Sequence, residues 1–236
     1  MVVTNTRHYL KTVFQVADFS SLSSILELPA MLWSLSKARE YTMLDIPRLA
    51  FLYRLTKKAD STKLPGNIVE CGVANGGSAA ILAYASRGSS MKRKIWLFDS
   101  FQGMPKPTEE DGKRAFDQFH EGWLKGDPVR VNQIFQELKI PLKNIRIVKG
   151  WFQDTFITVD VGRIALLHID ADWYESVKLC LHQFYDSVVV GGAIVLDDYG
   201  CWEGCRAATN EFLKDRRLKG ELLQVDSGVA YYFRKS

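Results

Sequence analysis

No apolar run in this sequence approaches the roughly 18 residues that a membrane-spanning helix needs. The first residues also lack the basic-then-apolar order of a secretory signal, so a cytoplasmic protein with no membrane partner is expected. Cysteine is scarce: Cys71, Cys180, Cys201 and Cys205 cannot make a disulfide framework in a chain of 236 residues. Cys201 and Cys205 lie close in sequence but have no second ligand pair nearby, which argues against zinc. Charge of one sign is not in excess either. The net charge is +4, and the basic residues Lys57, Lys58, Arg87, Lys92, Arg93, Lys94, Arg216 and Arg217 are scattered. They read as solvated faces, which excludes the basic stripe of a nucleic-acid partner.

What is present is the balance of a globular chain, 47% apolar and 25% charged, at a length that suits one large α/β domain with a small extension. After about 20 residues of weak pattern, "SLSSILELPAMLWSLSKARE" and "MLDIPRLAFLYRLTKKA" carry apolar residues at helical spacing. Ser21 and Ser24 are candidate caps, and Pro47 fits the start of the second helix. No Gly/Ser linker follows, so residues 1–60 are read as a helical cap packed on a domain at 61–236. Five strands are then expected at 67–71, 94–99, 144–150, 164–170 and 192–198, with helices at 78–87, 128–140, 174–185 and 203–217 between or after them. "ELLQV" and "VAYYFR" close the chain as a hairpin, and 100–126, rich in charge and glycine, reads as a long loop or lid. Strands alternating with helices predict a doubly wound, mostly parallel sheet that binds ligands at its strands' carboxyl ends.

The polar residues that interrupt this apolar pattern sit at those ends. "VECGVANGGS" (69–78) runs from strand through a glycine turn to a helix start. It is neither the G-x-G-x-x-G dinucleotide fingerprint nor a phosphate-binding P-loop. Glu70 would repel a pyrophosphate yet tolerate an ammonium or sulfonium. Asp99, ending the second strand, is placed to accept two ribose hydroxyls; capping a helix is its alternative role. Asp170, Asp197 and Asp198 end the fourth and fifth strands, where three converging carboxylates call for protons or a hard cation. Oxygen ligands favour Mg²⁺, then Mn²⁺ or Ca²⁺. Helix capping is the alternative, most of all for Asp172.

Six strings, "YTMLDIPRLAFLYRL", "IVECGVANGGSAAIL", "LFDSFQGMP", "KGWFQDTF", "IDADWYESV" and "GGAIVLDDYGCWEGCRAA", run in order from residue 41 to 212. Together they resemble the macrocin O-methyltransferase family, S-adenosylmethionine-dependent enzymes that methylate hydroxyls, often on sugars of natural products. The resemblance implies a Rossmann-like class I methyltransferase fold, with seven strands and the last one antiparallel. It also implies that Glu70, Cys71, Gly72, Val73 and Ser78 hold the methionine part of the cofactor and that Asp99 with Ser100 holds the ribose. Trp151 and Phe152 would flank the adenine, and Asp170 would touch both cofactor and metal. Metal-dependent catechol-type methyltransferases place a catalytic lysine three residues after the metal aspartate; Trp173 stands there in this chain. The base is therefore expected to be Asp170 or Asp172 of the D-x-D stretch, with His120 and His168 as alternatives. Ala171 separates the two aspartates where the family usually has glycine. The expected reaction is methyl transfer to a hydroxylated small molecule, with pairing of two chains through the cap as an expected homodimer. The rival readings are a catalytically silent nucleoside-binding protein and a dinucleotide-dependent oxidoreductase.

Overall fold

The computed structural model describes residues 22–218 and 221–236, with side chains from Leu26 onward. Two helices lead, α1 (Leu22–Ala38) and α2 (Ile46–Ser61). Asp45 starts α2, its carboxylate accepting the backbone N–H of Arg48 at 3.1 Å, and Pro47 occupies the first turn, where a missing N–H costs nothing. Of the two serines expected as caps, Ser21 lies outside the described residues and Ser24 falls within α1.

The sheet follows. Its strands are β1 (Asn67–Cys71), β2 (Ile95–Asp99), β3 (Ile145–Lys149), β4 (Ile164–Ile169), β5 (Val188–Leu196), β6 (Leu223–Gln224) and β7 (Tyr231–Arg234), in the order β3-β2-β1-β4-β5-β7-β6. The first five run parallel, while β7 is antiparallel to β5 and to β6, as the terminal hairpin led us to expect. Between the strands lie α3 (Gly77–Ala85), α4 (Gly112–Gln118), α5 (Pro128–Glu137), α6 (Phe152–Thr155), α7 (Tyr174–Phe184) and α8 (Glu203–Asp215). None of the described helices is long and apolar enough to cross a membrane.

Successive strand side chains point to opposite faces, so each central strand feeds two cores. Ile68, Leu97, Leu166 and Val195 join α1, α2, α3 and α5 on one face; Val69, Phe98, Leu167 and Ile194 join α7 and α8 on the other. The leading helices thus share one buried cluster with the sheet. Arg93 helps to hold them there. Read from sequence as a solvated residue, it is buried, pairing with Asp60 at 2.6 Å and donating to the carbonyls of Ala59, Leu64 and Gly66. A guanidinium tolerates burial when this many acceptors meet it.

The 100–126 segment also differs from a plain loop, because it contains α4. A short 3₁₀ turn precedes that helix, and Thr108 and Asp111 cap it reciprocally. The buried Asp111 carboxylate also accepts the backbone N–H of Tyr174 at 2.6 Å, which ties the segment to the start of α7.

Candidate active site

A cleft of about 1220 Å³ opens where β1, β2, β4 and β5 end. Sites for one drug-sized ligand are about 300–1000 Å³, so this one has room for two reactants. Its floor is the turn after β1. Gly72 has φ +89°, and a Cβ there would stand 1.7 Å from the carbonyl oxygen of Asp170, so only glycine lets β1 and β4 end this close together. Asp99 shapes the same turn: one oxygen accepts the N–H groups of Val73 and Ala74 at 2.7 and 2.8 Å, the other that of Phe101 at 2.6 Å. A carboxylate offers about four acceptor sites, so Asp99 has about one left for a ligand hydroxyl, one fewer than expected.

Of the other residues expected to hold a cofactor, Gly72, Val73, Ser78, Ser100, Trp151, Phe152 and Asp170 line the cleft. Phe152 is half committed, stacked on Phe156 with ring centroids 4.9 Å apart. Glu70 and Cys71 are corrected by the geometry: both are fully buried and neither lines the cleft. The strand's alternation explains this, turning the Cys71 side chain into the α7–α8 core and Glu70 inward toward β4.

At the far end of the cleft, carboxylate oxygens of Asp170, Asp172 and Asp198 lie within 4.8 Å of one another. Burial, and then the neighbouring acids, push Asp170 and Asp198 well above the usual carboxylate range. The same causes push Asp172 up to about 7, with Asp197 the foremost of its acid neighbours. Asp172 adopts φ +52°, a left-handed conformation that aspartate tolerates, and its backbone N–H points at Asp198 at 3.3 Å. The trio differs from the expected one: Asp172 joins it, while Asp197 faces elsewhere.

Asp197 sits in a buried row of charges. One of its oxygens accepts Nη1 of Arg48 at 2.5 Å, and the other lies 3.7 Å from Nε2 of His168. His168 in turn meets Glu70 through Nδ1 at 2.9 Å, leaving Glu70 Oε2 with no partner. Burial alone would depress His168, but Asp197 and Glu70 outweigh it and raise the imidazole to about 10. It is a fixed imidazolium outside the cleft lining and not a base. Arg48 also approaches Asp45 at 3.3 Å and Asp226 at 3.5 Å. The other Asp226 oxygen gathers the N–H groups of Gly228, Val229 and Ala230 before β7.

His120, the other histidine considered as a base, is exposed and does not line the cleft. Its segment does contribute Met104, Pro105, Lys106, Trp123, Leu124 and Lys125 to the lining, and the Trp123 ring stands 5.7 Å from Trp173 and 6.1 Å from Trp202. Trp173 is buried and donates Nε1–H to the carbonyl of Pro105 at 2.9 Å. Where catechol-type enzymes carry a lysine, this chain therefore has an anchor for the covering segment. Sequence reasoning gave no role to Arg48 or Trp202; "IPRLAF" and "CWEG" hold no recognisable site spacing.

A glycine turn, a strand-end aspartate beside it and an acid cluster in one cleft describe a group-transfer site. The sequence profile of the macrocin O-methyltransferase (TylF) family matches residues 34–235. This chain belongs to that family. It is an S-adenosylmethionine-dependent O-methyltransferase. Demethyldecarbamoylnovobiocin O-methyltransferase of Streptomyces niveus is 30% identical over 84% of this chain and 77% of its own length. Mycinamicin III 3''-O-methyltransferase of Micromonospora griseorubida is 29% identical over 83% of this chain and 79% of its own. Among solved structures, the O-methyltransferase NovP superposes with a TM-score of 0.75 at 28% identity, covering 83% of this chain and 82% of its own. The calicheamicin methyltransferase CalS11, at 17% identity and a TM-score of 0.63 over 95% of this chain and 91% of its own, shares the fold.

Proposed function

We propose that this macrocin-family enzyme methylates a hydroxyl on a sugar or related natural-product acceptor and needs a divalent cation, Mg²⁺ first. The observation that carries the cation is the Asp170–Asp172–Asp198 cluster, whose converging oxygens form a hard, all-oxygen donor set. Asp170 and Asp198 would hold the ion, and Asp197, which lines the same cleft outside the trio, is the third carboxylate expected from the sequence. When bound, it would offset the repulsion among these acids and acidify a hydroxyl placed beside them. S-adenosylmethionine would supply the methyl group on its sulfonium.

The chain's own residues do the rest. Gly72 to Ser78 and Asp99 fix the cofactor end of the cleft, and Trp151 offers a flat face to the adenine. Asp172, near 7, is matched to accept the acceptor's proton at neutral pH. Trp123, Trp202 and Met104 wall the acceptor end with apolar surface, which suits the apolar face of a sugar or an aryl ring and excludes water. The acceptors in the relatives' names, demethyldecarbamoylnovobiocin and mycinamicin III, agree with that wall.

Calorimetric titration of S-adenosylhomocysteine and of Mg²⁺ into chelator-treated protein tests both parts. Wild type should bind both, and Asp198→Ala should keep the nucleoside and lose Mg²⁺. No heat from the nucleoside would overturn the cofactor site, and no Mg²⁺ binding by wild type would overturn the cation.

A further inference from the structure

The row of charges around Asp197 has a part that the proposed chemistry does not use. Arg48 projects from the first turn of α2 into the cleft, and Asp197 spends one oxygen on it. That pair spans 149 residues of sequence and joins the cap helices to the end of β5. Both partners are mostly buried, at 15% and 3% exposure of their side chains. Pairs this buried seldom add net stability over apolar packing, so stability alone does not account for it. Asp197 directly follows the last residue of β5 and is adjacent in sequence to Asp198 of the cluster, yet its carboxylate is not one of the three whose oxygens lie within 4.8 Å of one another. One of its oxygens is taken by the guanidinium.

We infer that Arg48 is a positioning residue that competes with the divalent cation for Asp197, so that the third carboxylate reaches the cluster only when Arg48 lets go. This rests on the cation proposed above. His168 stays 3.7 Å from the other Asp197 oxygen, so the carboxylate keeps a neighbour in the buried row when Arg48 leaves. Arg48 also has somewhere to go, because Asp45 and Asp226 already flank its Nε. The exchange replaces a monovalent cation at Asp197 with a divalent one, while Arg48 keeps its own charge beside Asp45 and Asp226. Loading the cation would thereby loosen the hold of α2 on the mouth of the cleft.

The test is Mg²⁺ titration by calorimetry on wild type, Arg48→Gln, Asp197→Ala and the double variant, with S-adenosylhomocysteine affinity measured alongside. Arg48→Gln should tighten Mg²⁺ by about tenfold, within the range found for coupled neighbouring residues, and leave the nucleoside affinity within about twofold. In the Asp197→Ala background the same change should give no gain. A gain that persists without Asp197 would reduce Arg48 to a general repulsive charge and overturn the inference. So would an Mg²⁺ affinity that is unchanged or weaker in Arg48→Gln. Mg²⁺ binding absent from wild type and Arg48→Gln alike would instead sink the cation itself. Should Arg48→Gln fail to fold because Asp226 is left buried and uncompensated, Arg48→Gln with Asp226→Asn removes that acid and is titrated in its place, with the same outcomes deciding.

Discussion

Asp172 carries the sharpest expectation for any single residue. Its strained backbone, its place in the trio and a carboxyl pushed up to about 7 all serve a group that must take a proton near neutrality. Asp172→Asn keeps the shape and removes the proton acceptor. Steady-state kinetics should show kcat lower by about 10²- to 10⁴-fold with the cofactor KM little changed. Activity of the wild type should rise with pH as Asp172 loses its proton, over a range that a bound cation would draw below about 7. The acids themselves were legible in the sequence, because each one interrupts or ends an apolar strand run and polar residues there have few structural excuses. Arg48 was not legible. Its partner lies 149 residues away, and no local pattern signals a contact that only the fold creates.

The covering segment is the element whose reading changed most. Charge and glycine between 100 and 126 speak for a loop, and helix α4 is too short to show a periodicity against that background. The 3₁₀ turn that leads into it is held by the Thr108–Asp111 box and by the Asp111 bond to Tyr174, the second of which no sequence window contains. Asp111→Ala should remove the cap and leave the buried Tyr174 N–H without its acceptor. Each loss costs about 1 kcal/mol or more, so the variant should be destabilised by about 2–3 kcal/mol. Denaturant unfolding measures that, and amide exchange should quicken from Thr108 through Trp123 while β1 and β4 keep their protection. By contrast the strands were plain from their β-branched, apolar runs, and only their ends moved by a few residues. β5 grew most, beginning at Val188 where the sequence reading started it at Gly192.

For the whole molecule, alternation of strand and helix was enough to predict a doubly wound sheet, whereas the seven-stranded plan came from the family resemblance. Burial of charge was the least legible property, as Arg93 and Glu70 show, since their compensation comes from elements distant in sequence. It also sets how stability responds to pH. Asp170, Asp172 and Asp198 are all raised in the folded state, so their contribution is fully present below the ordinary carboxylate range and is lost as pH rises through the folded values, about 7 for Asp172. A divalent cation binds the deprotonated acids and should reverse that loss. The thermal midpoint should therefore gain more from saturating Mg²⁺ at about pH 8 than at about pH 5.5. An equal gain at both pH values would detach the ion from these carboxylates. Arg48 enters from the first described helices and Asp226 from the turn before the last strand, and the two meet beside Asp197. That meeting waits for the β6–β7 hairpin. Without it Arg48 lacks one counter-charge and β5 has a bare edge, so the catalytic end of the cleft is complete only once residues 221–234 are in place.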